Sequence, residues 1–143
     1  MGGQMEFHFG LSPAERQAYD VCYWIKENRE TFRKLMHLMH RRVDEGCPRT
    51  RRDDVVSYAT EMGLPITVID GLRHDHNLFA GLSRYAVMLR PRLARTLHFR
   101  KSALDDIDLV SIWHEVVDPR TTFIAKNRRE AEHMVELKDA CTR

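Results

Sequence analysis

Signals that start and stop α-helices recur along this chain, and they limit it to a fold built from short helices. Segments 12–15, 50–53 and 102–105 each have a serine or threonine followed three residues later by a carboxylate, the pattern of a capping box that satisfies the first backbone amides of a helix. Gly46 and Gly63 directly follow two apolar-periodic segments, and glycine is the usual residue just past a helix end. The chain is therefore expected to be mainly α-helical.

Apolar residues at helical spacing predict where the helices lie. We predict helices at about 12–26, 29–45, 50–62, from Asp75 or Asn77 to before Pro91, and after Asn127. The clearest is 29–45, whose apolar stripe consists of Phe32, Leu35, Met36, Met39 and Val43.

A β-hairpin is predicted at residues 66–74, where the character of the sequence changes. Residues 66–69 are a β-branched run, Asp70 and Gly71 form the commonest two-residue hairpin turn, and 72–74 can return as the partner strand. Three helices followed by a hairpin is the element order of a winged helix, in which the third helix enters the major groove of DNA. We therefore predict a winged-helix-like helical domain with one short hairpin and a C-terminal helix.

The length of 143 residues fits a single core. We expect a flexible N-terminus at 1–11, the winged-helix-like domain at 12–103, and an extension at 104–143 that packs on this domain or on a second subunit in a homodimer. Within the extension, 104–117 fits a helix, but it also has the β propensity to pair with 122–124.

Composition points to a cytoplasmic protein that does not enter membranes. No apolar run approaches the ~20 residues needed to cross a bilayer, and residues 1–10 lack the features of a signal peptide. The three cysteines are far apart and form no C-x-x-C pair, which agrees with a reducing compartment.

Basic residues are concentrated in two segments, although the formal net charge is only +2. Segment 29–52 has eight basic and three acidic residues, and segment 73–101 has seven basic residues against one acid. Such clustering is typical of a surface that binds a polyanion, although charge-rich helices also form patches for solubility alone. The residues predicted to contact DNA are Arg41, Arg42, Arg49, Arg51, Arg52, Arg73, Arg84, Arg100 and Lys101.

Within the winged-helix interpretation, different arginines have different roles. Arg51 and Arg52 lie at the start of the third helix, the end that reaches base edges. Arg73 lies on the predicted wing, where a phosphate contact is expected.

Several short motifs between Tyr19 and Ser102 resemble those of a group of short phage- and prophage-encoded proteins that have no established activity. The motifs are 19–24, 73–79, Arg84-Tyr85, Arg90-Pro91 and 99–102. The resemblance implies a helical domain with a small hairpin, and DNA binding by a phage or prophage regulator.

Enzymatic function is not predicted, because the chain has no P-loop, no G-x-G-x-x-G and no G-x-S-x-G motif. No cofactor is expected, and no metal, since His37 with His40 and His74 with His76 lack further ligands at a defined spacing. The alternative function is a protein-interaction or phage-assembly module without nucleic-acid binding, in which Trp113, Phe123 and the last helix form a partner surface.

Overall fold

The computed structural model describes residues 10–142, so residues 1–9 of the predicted flexible N-terminus lie outside the described part. The mainly α prediction is confirmed. Within residues 10–142 there are seven α-helices, two 3₁₀ segments and no β-strand. The α-helices are α1 Pro13–Glu27, α2 Arg29–Asp44, α3 Arg52–Glu61, α4 Ile66–His74, α5 His76–Leu89, α6 Leu109–Val116 and α7 Arg128–Thr142; the 3₁₀ segments are Pro91–Arg95 and Ala103–Asp106.

The predicted β-hairpin is wrong, and the winged-helix interpretation is wrong with it, because residues 66–74 form helix α4. Val68 and Leu72 are four residues apart, so a helix buries both on one face. A strand would also place them on one face, but the described residues contain no other strand with which it could pair. Burial against neighbouring helices therefore outweighs the β propensity of the branched residues.

The alternatives for residues 104–117 are resolved in favour of helix. The Asp108 side chain accepts a hydrogen bond from the backbone amide of Ser111 at 3.1 Å and starts α6. Residues 122–124 do not form a strand; instead the amide of Ile124 donates to the carbonyl of Met88 at 3.1 Å. The segment is thereby attached to the end of α5.

Helix α5 is the centre of the core, and every residue from Gly81 to Met88 is buried. Helices α1, α4 and α7 and the segment 91–95 all pack on it. Helices α1 and α5 approach each other closely at Gly81, where a built Cβ atom would lie 2.5 Å from Cγ2 of Val21. Only a residue without a side chain allows α1 and α5 to lie this close together.

Helix α7 packs on the segment 91–95 and on α5 of the same chain. Ala131 is fully buried and Met134 is partly buried against the core, whereas Leu137 is 53% exposed. A homodimer formed through this helix stays a prediction. Among the described residues, no helix combines the length and apolar character that a transmembrane span requires.

Cys22 lies in this core and is expected to be unreactive in the folded protein. It is fully buried, and burial raises the pKa of its thiol to about 12. A hydrogen bond at 3.1 Å with the Tyr85 hydroxyl lowers this pKa, but by less than burial raises it. Since the thiolate is the reactive form, a thiol reagent should modify exposed Cys141 rapidly and Cys22 only after unfolding. Ellman titration of the native wild-type protein, compared with the native and denatured Cys141→Ser variant, tests this; no faster reaction in the wild type, or rapid native reaction of every thiol in the variant, would contradict it.

Candidate nucleic-acid interface

Two loops from distant parts of the sequence are joined by buried threonines. The amide of Thr50 donates to the carbonyl of Thr96 at 2.8 Å, and the two hydroxyl groups are 2.9 Å apart. Both residues are at most 4% exposed. Nearby, the His98 ring nitrogen lies 3.2 Å from the carbonyl oxygen of Pro48. These bonds hold the chain before α3 against the chain after segment 91–95.

The predicted capping box at 50–53 is shifted by one residue because Thr50 makes these contacts. Helix α3 instead has Arg51 at its N-cap, and the amide of Arg51 donates to the Asp54 carboxylate at 2.7 Å. As a consequence Arg52 is the first residue of α3.

The joined loops form one side of a cavity of about 390 Å³, which we call the basic cleft. Its other side is the outer face of the first turns of α5, including half-buried Phe79. The residues that line it are Arg49, Arg52, His76, Phe79, Ala80, Ser83, Arg84, His98, Arg100, Lys101 and Ser102.

The basic cleft has cationic side chains on its rim and no carboxylate among its lining residues. Arg49, Arg100 and Lys101 are exposed, and no ion-pair partner contacts their side chains within residues 10–142. Arg52 is half-buried, and its guanidinium contacts Nδ1 of His76 at the start of α5. Uncompensated positive charge of this kind attracts anions.

Arg84 lies at the base of the cleft and is not free to bind a ligand. Its side chain is 4% exposed and forms an ion pair at 3.0 Å with the equally buried carboxylate of Asp105. The same guanidinium donates to the carbonyls of Ala80 at 3.1 Å and Arg100 at 3.0 Å. Arg84 therefore positions the segment that presents Arg100 and is not expected to contact DNA.

Asp105 also binds a second arginine, Arg128, at the start of α7, at 2.9 Å. The two guanidiniums lie over the ring of Phe99, at 5.2 Å for Arg84 and 5.8 Å for Arg128. Burial alone would raise the pKa of the Asp105 carboxyl, but the hydrogen bonds from Arg128 and Arg84 outweigh it and hold that pKa well below its usual range. The segment 97–102 is thus fixed at Phe99, at Arg100 and, through the amide of Ser102, at Asp105.

The structure brings five of the nine predicted DNA-contact residues to this cleft: Arg49, Arg52, Arg84, Arg100 and Lys101. The other four lie outside it. Arg42 is half-buried and donates to Thr50 and to the carbonyl of Arg49. Arg41, Arg51 and Arg73 are exposed, and Arg73 is near the end of helix α4 rather than on a wing.

Sequence reasoning missed the uncharged part of the cleft. The sequence patterns predict no role in a binding site for His76, Phe79 or His98. No short motif connects them, because they meet only through the Thr50–Thr96 contact and the packing of α5. Among the described residues, no group of three or more His, Cys, Asp or Glu side chains is arranged to hold a metal ion.

Comparison with known proteins gives no match, whether with family models, with curated proteins or with solved structures. The resemblance to phage and prophage proteins therefore stays a prediction.

Proposed function

We propose that this protein binds DNA through the phosphate groups, and that the basic cleft is the binding site. The observation that carries the proposal is a cavity with Arg49, Arg52, Arg100 and Lys101 on its walls and no lining carboxylate. Each of these cations can replace a counterion of the nucleic acid, and the release of counterions is the main source of affinity that does not depend on base sequence.

The shape of the cleft supports contact with the backbone rather than reading of bases by an inserted helix. Arg52 is the first residue of α3, but it is half-buried and turned to His76. Exposed Arg51, the other residue assigned to base contacts, is not among the lining residues. The side chains that reach solvent at the rim are arginine and lysine side chains, which supply many of the phosphate contacts in protein–DNA complexes.

Replacing the three exposed rim cations is expected to weaken binding and to reduce its dependence on salt. For the variant Arg49→Gln/Arg100→Gln/Lys101→Gln we expect a loss of affinity of roughly tenfold or more at low salt. We also expect the slope of log K against log salt to become shallower by about 2.1 on single strands and by about 2.7 on duplexes, since each of the three lost contacts removes about 0.7 and about 0.9, respectively. Fluorescence anisotropy of labelled DNA between about 50 and 200 mM salt measures both quantities.

Lys34→Gln/Arg41→Gln/Arg73→Gln provides the matched control, because it also removes two arginines and one lysine that are exposed, and all three lie outside the cleft. This variant should not alter affinity by more than about twofold. Equal losses in the cleft variant and the control would indicate a diffuse basic surface and contradict the cleft assignment. Absence of binding to any DNA at low salt would contradict the proposed function and favour the alternative of a protein-interaction module.

A further inference from the structure

A second, larger cavity of about 600 Å³ lies on the other side of the α5 N-terminus, between α1, α4 and α5. Its volume is within the usual range of about 300–1,000 Å³ for small-molecule sites. Half-buried Trp24 forms part of its wall, so we call it the Trp24 cavity. The residues that line it are Pro13, Arg16, Gln17, Asp20, Val21, Trp24, Thr67, Gly71, Asp75, Asn77 and Leu78.

The Trp24 cavity combines an aromatic wall with groups that can form hydrogen bonds. Arg16 and Asp20 are exposed on α1, and Asn77 is exposed on α5. Gln17 donates through Nε2 to the carbonyl of Asn77 at 3.3 Å, which leaves its side-chain oxygen as an acceptor. A flat ring with donors and acceptors on its edge matches this set of groups, because rings stack on aromatic side chains and their edges form hydrogen bonds.

Gly71 keeps the cavity open. It lies within α4 without a positive φ, so its backbone does not require glycine. A built Cβ atom would meet only Cδ2 of Leu78, at an ordinary 3.6 Å. Glycine inside a helix is less favourable than alanine, and neither strain nor crowding accounts for it at this position. Its effect on the structure is the space that a side chain larger than that of alanine would fill.

The Trp24 cavity and the basic cleft adjoin at the first turn of α5. Asp75, Asn77 and Leu78 line the Trp24 cavity. His76 and Phe79, from the same turn, line the basic cleft. A ligand with an anionic group in the basic cleft can therefore place a neighbouring group in the Trp24 cavity by crossing the first turn of α5.

We propose that the Trp24 cavity receives an unstacked nucleobase of a DNA strand whose phosphates lie in the basic cleft, so that the preferred ligand is single-stranded. This inference rests on the proposed function. In a duplex the bases are stacked and paired, and a base can enter the cavity only if it is first taken out of the stack. In a single strand the base is already available for stacking on Trp24.

The intrinsic fluorescence of the protein tests the inference, because the chain has only two tryptophans and Trp113 is 2% exposed. An unlabelled single-stranded oligonucleotide should quench the emission of Trp24, whereas a duplex of the same sequence should not. Trp24→Phe should abolish the quenching, and Trp24→Ala should weaken single-strand binding by roughly 5- to 150-fold while leaving duplex binding within twofold.

Filling the cavity provides a matched pair of variants that keep the tryptophan. Gly71→Leu places a side chain beside Leu78 and should weaken binding of the single strand, while Gly71→Ala should leave it nearly unchanged. If DNA binds in the anisotropy assay but Trp24 emission is unaffected, or if duplex and single strand bind equally in all variants, this inference is overturned and the basic cleft stands. If no DNA binds at all, both proposals fail.

Discussion

Replacing Asp105 by asparagine is expected to lower the free energy of unfolding by about 3–5 kcal/mol, the usual cost of removing one partner from a buried ionic group. The Asp105 side chain is 2% exposed, and the arginines that it binds, Arg84 and Arg128, are 4% and 11% exposed. Without the carboxylate, two guanidiniums would remain close together in the interior with no negative charge between them. Arg128 retains Glu132 at 2.8 Å, but Arg84 has no other carboxylate partner among the described residues.

Urea unfolding followed by circular dichroism measures this loss. Asp106→Asn is the matched control, because Asp106 is the exposed neighbour in the same 3₁₀ segment and its variant should change stability by less than about 0.5 kcal/mol. A loss below about 1 kcal/mol for Asp105→Asn would mean that the arginines find other partners, and it would remove Asp105 from its role in holding segment 97–102.

The same carboxylate predicts how stability depends on pH. Because Asp105 has a folded-state pKa below its unfolded value, its contribution is fully present above the ordinary aspartate pKa of about 3.9 and is lost as the pH falls toward the folded-state pKa. The wild-type protein should therefore lose stability steeply below about pH 4. Asp105→Asn should have a shallower slope there, since it has no carboxyl to protonate at this position.

Gly81→Ala is expected to destabilise the protein by about 1–3 kcal/mol, or more, through overpacking. The new methyl group would lie 2.5 Å and 2.9 Å from the two γ-carbons of Val21, so α1 and α5 would have to move apart. Both helices are central to the core, and a displacement would also disturb the contact between Cys22 and Tyr85. Thermal and urea unfolding measure the change.

Two further variants separate crowding from other effects of the substitution. Gly71→Ala makes the same chemical change inside a helix, but with space for the methyl group, and it should stabilise the protein by about 0.5–1 kcal/mol. Val21→Ala should partly restore the stability of Gly81→Ala, because it removes the atoms that clash. If the double variant shows no favourable coupling, the close approach of α1 and α5 is not the cause.

Most helix boundaries could be predicted from the sequence, because the signals that set them are local. Ser12 caps α1 through a reciprocal pair of hydrogen bonds with Glu15, and Asp75 caps α5 by accepting from the amide of Leu78. The hairpin error at 66–74 has a different origin. The β-branched run and the Asp70-Gly71 pair favour a hairpin locally, yet the same residues can form a short helix, so the local sequence does not distinguish the two structures. Only the neighbouring helices that bury Val68 and Leu72 decide between the two, and they are not visible locally.

The cleft could be predicted in part. The two basic segments supply Arg49, Arg52, Arg100 and Lys101, and the structure places these four residues around one cleft. Charge alone could not separate them from Arg84, which has the same side chain but lies inside the protein. That distinction depends on Asp105, 21 positions away, and therefore on tertiary structure.

The contact of Asp105 with both Arg84 and Arg128 has a consequence for the order in which the contacts of the protein can form during its synthesis. During synthesis residue 105 leaves the ribosome before residue 128, so Arg84 and Asp105 are both available before Arg128 is made. Arg128 reaches Asp105 and the ring of Phe99 only after residue 128 has also emerged and α7 has docked. The segment that carries Arg100 and Lys101 therefore takes its final position only after the last helix of the chain has been made.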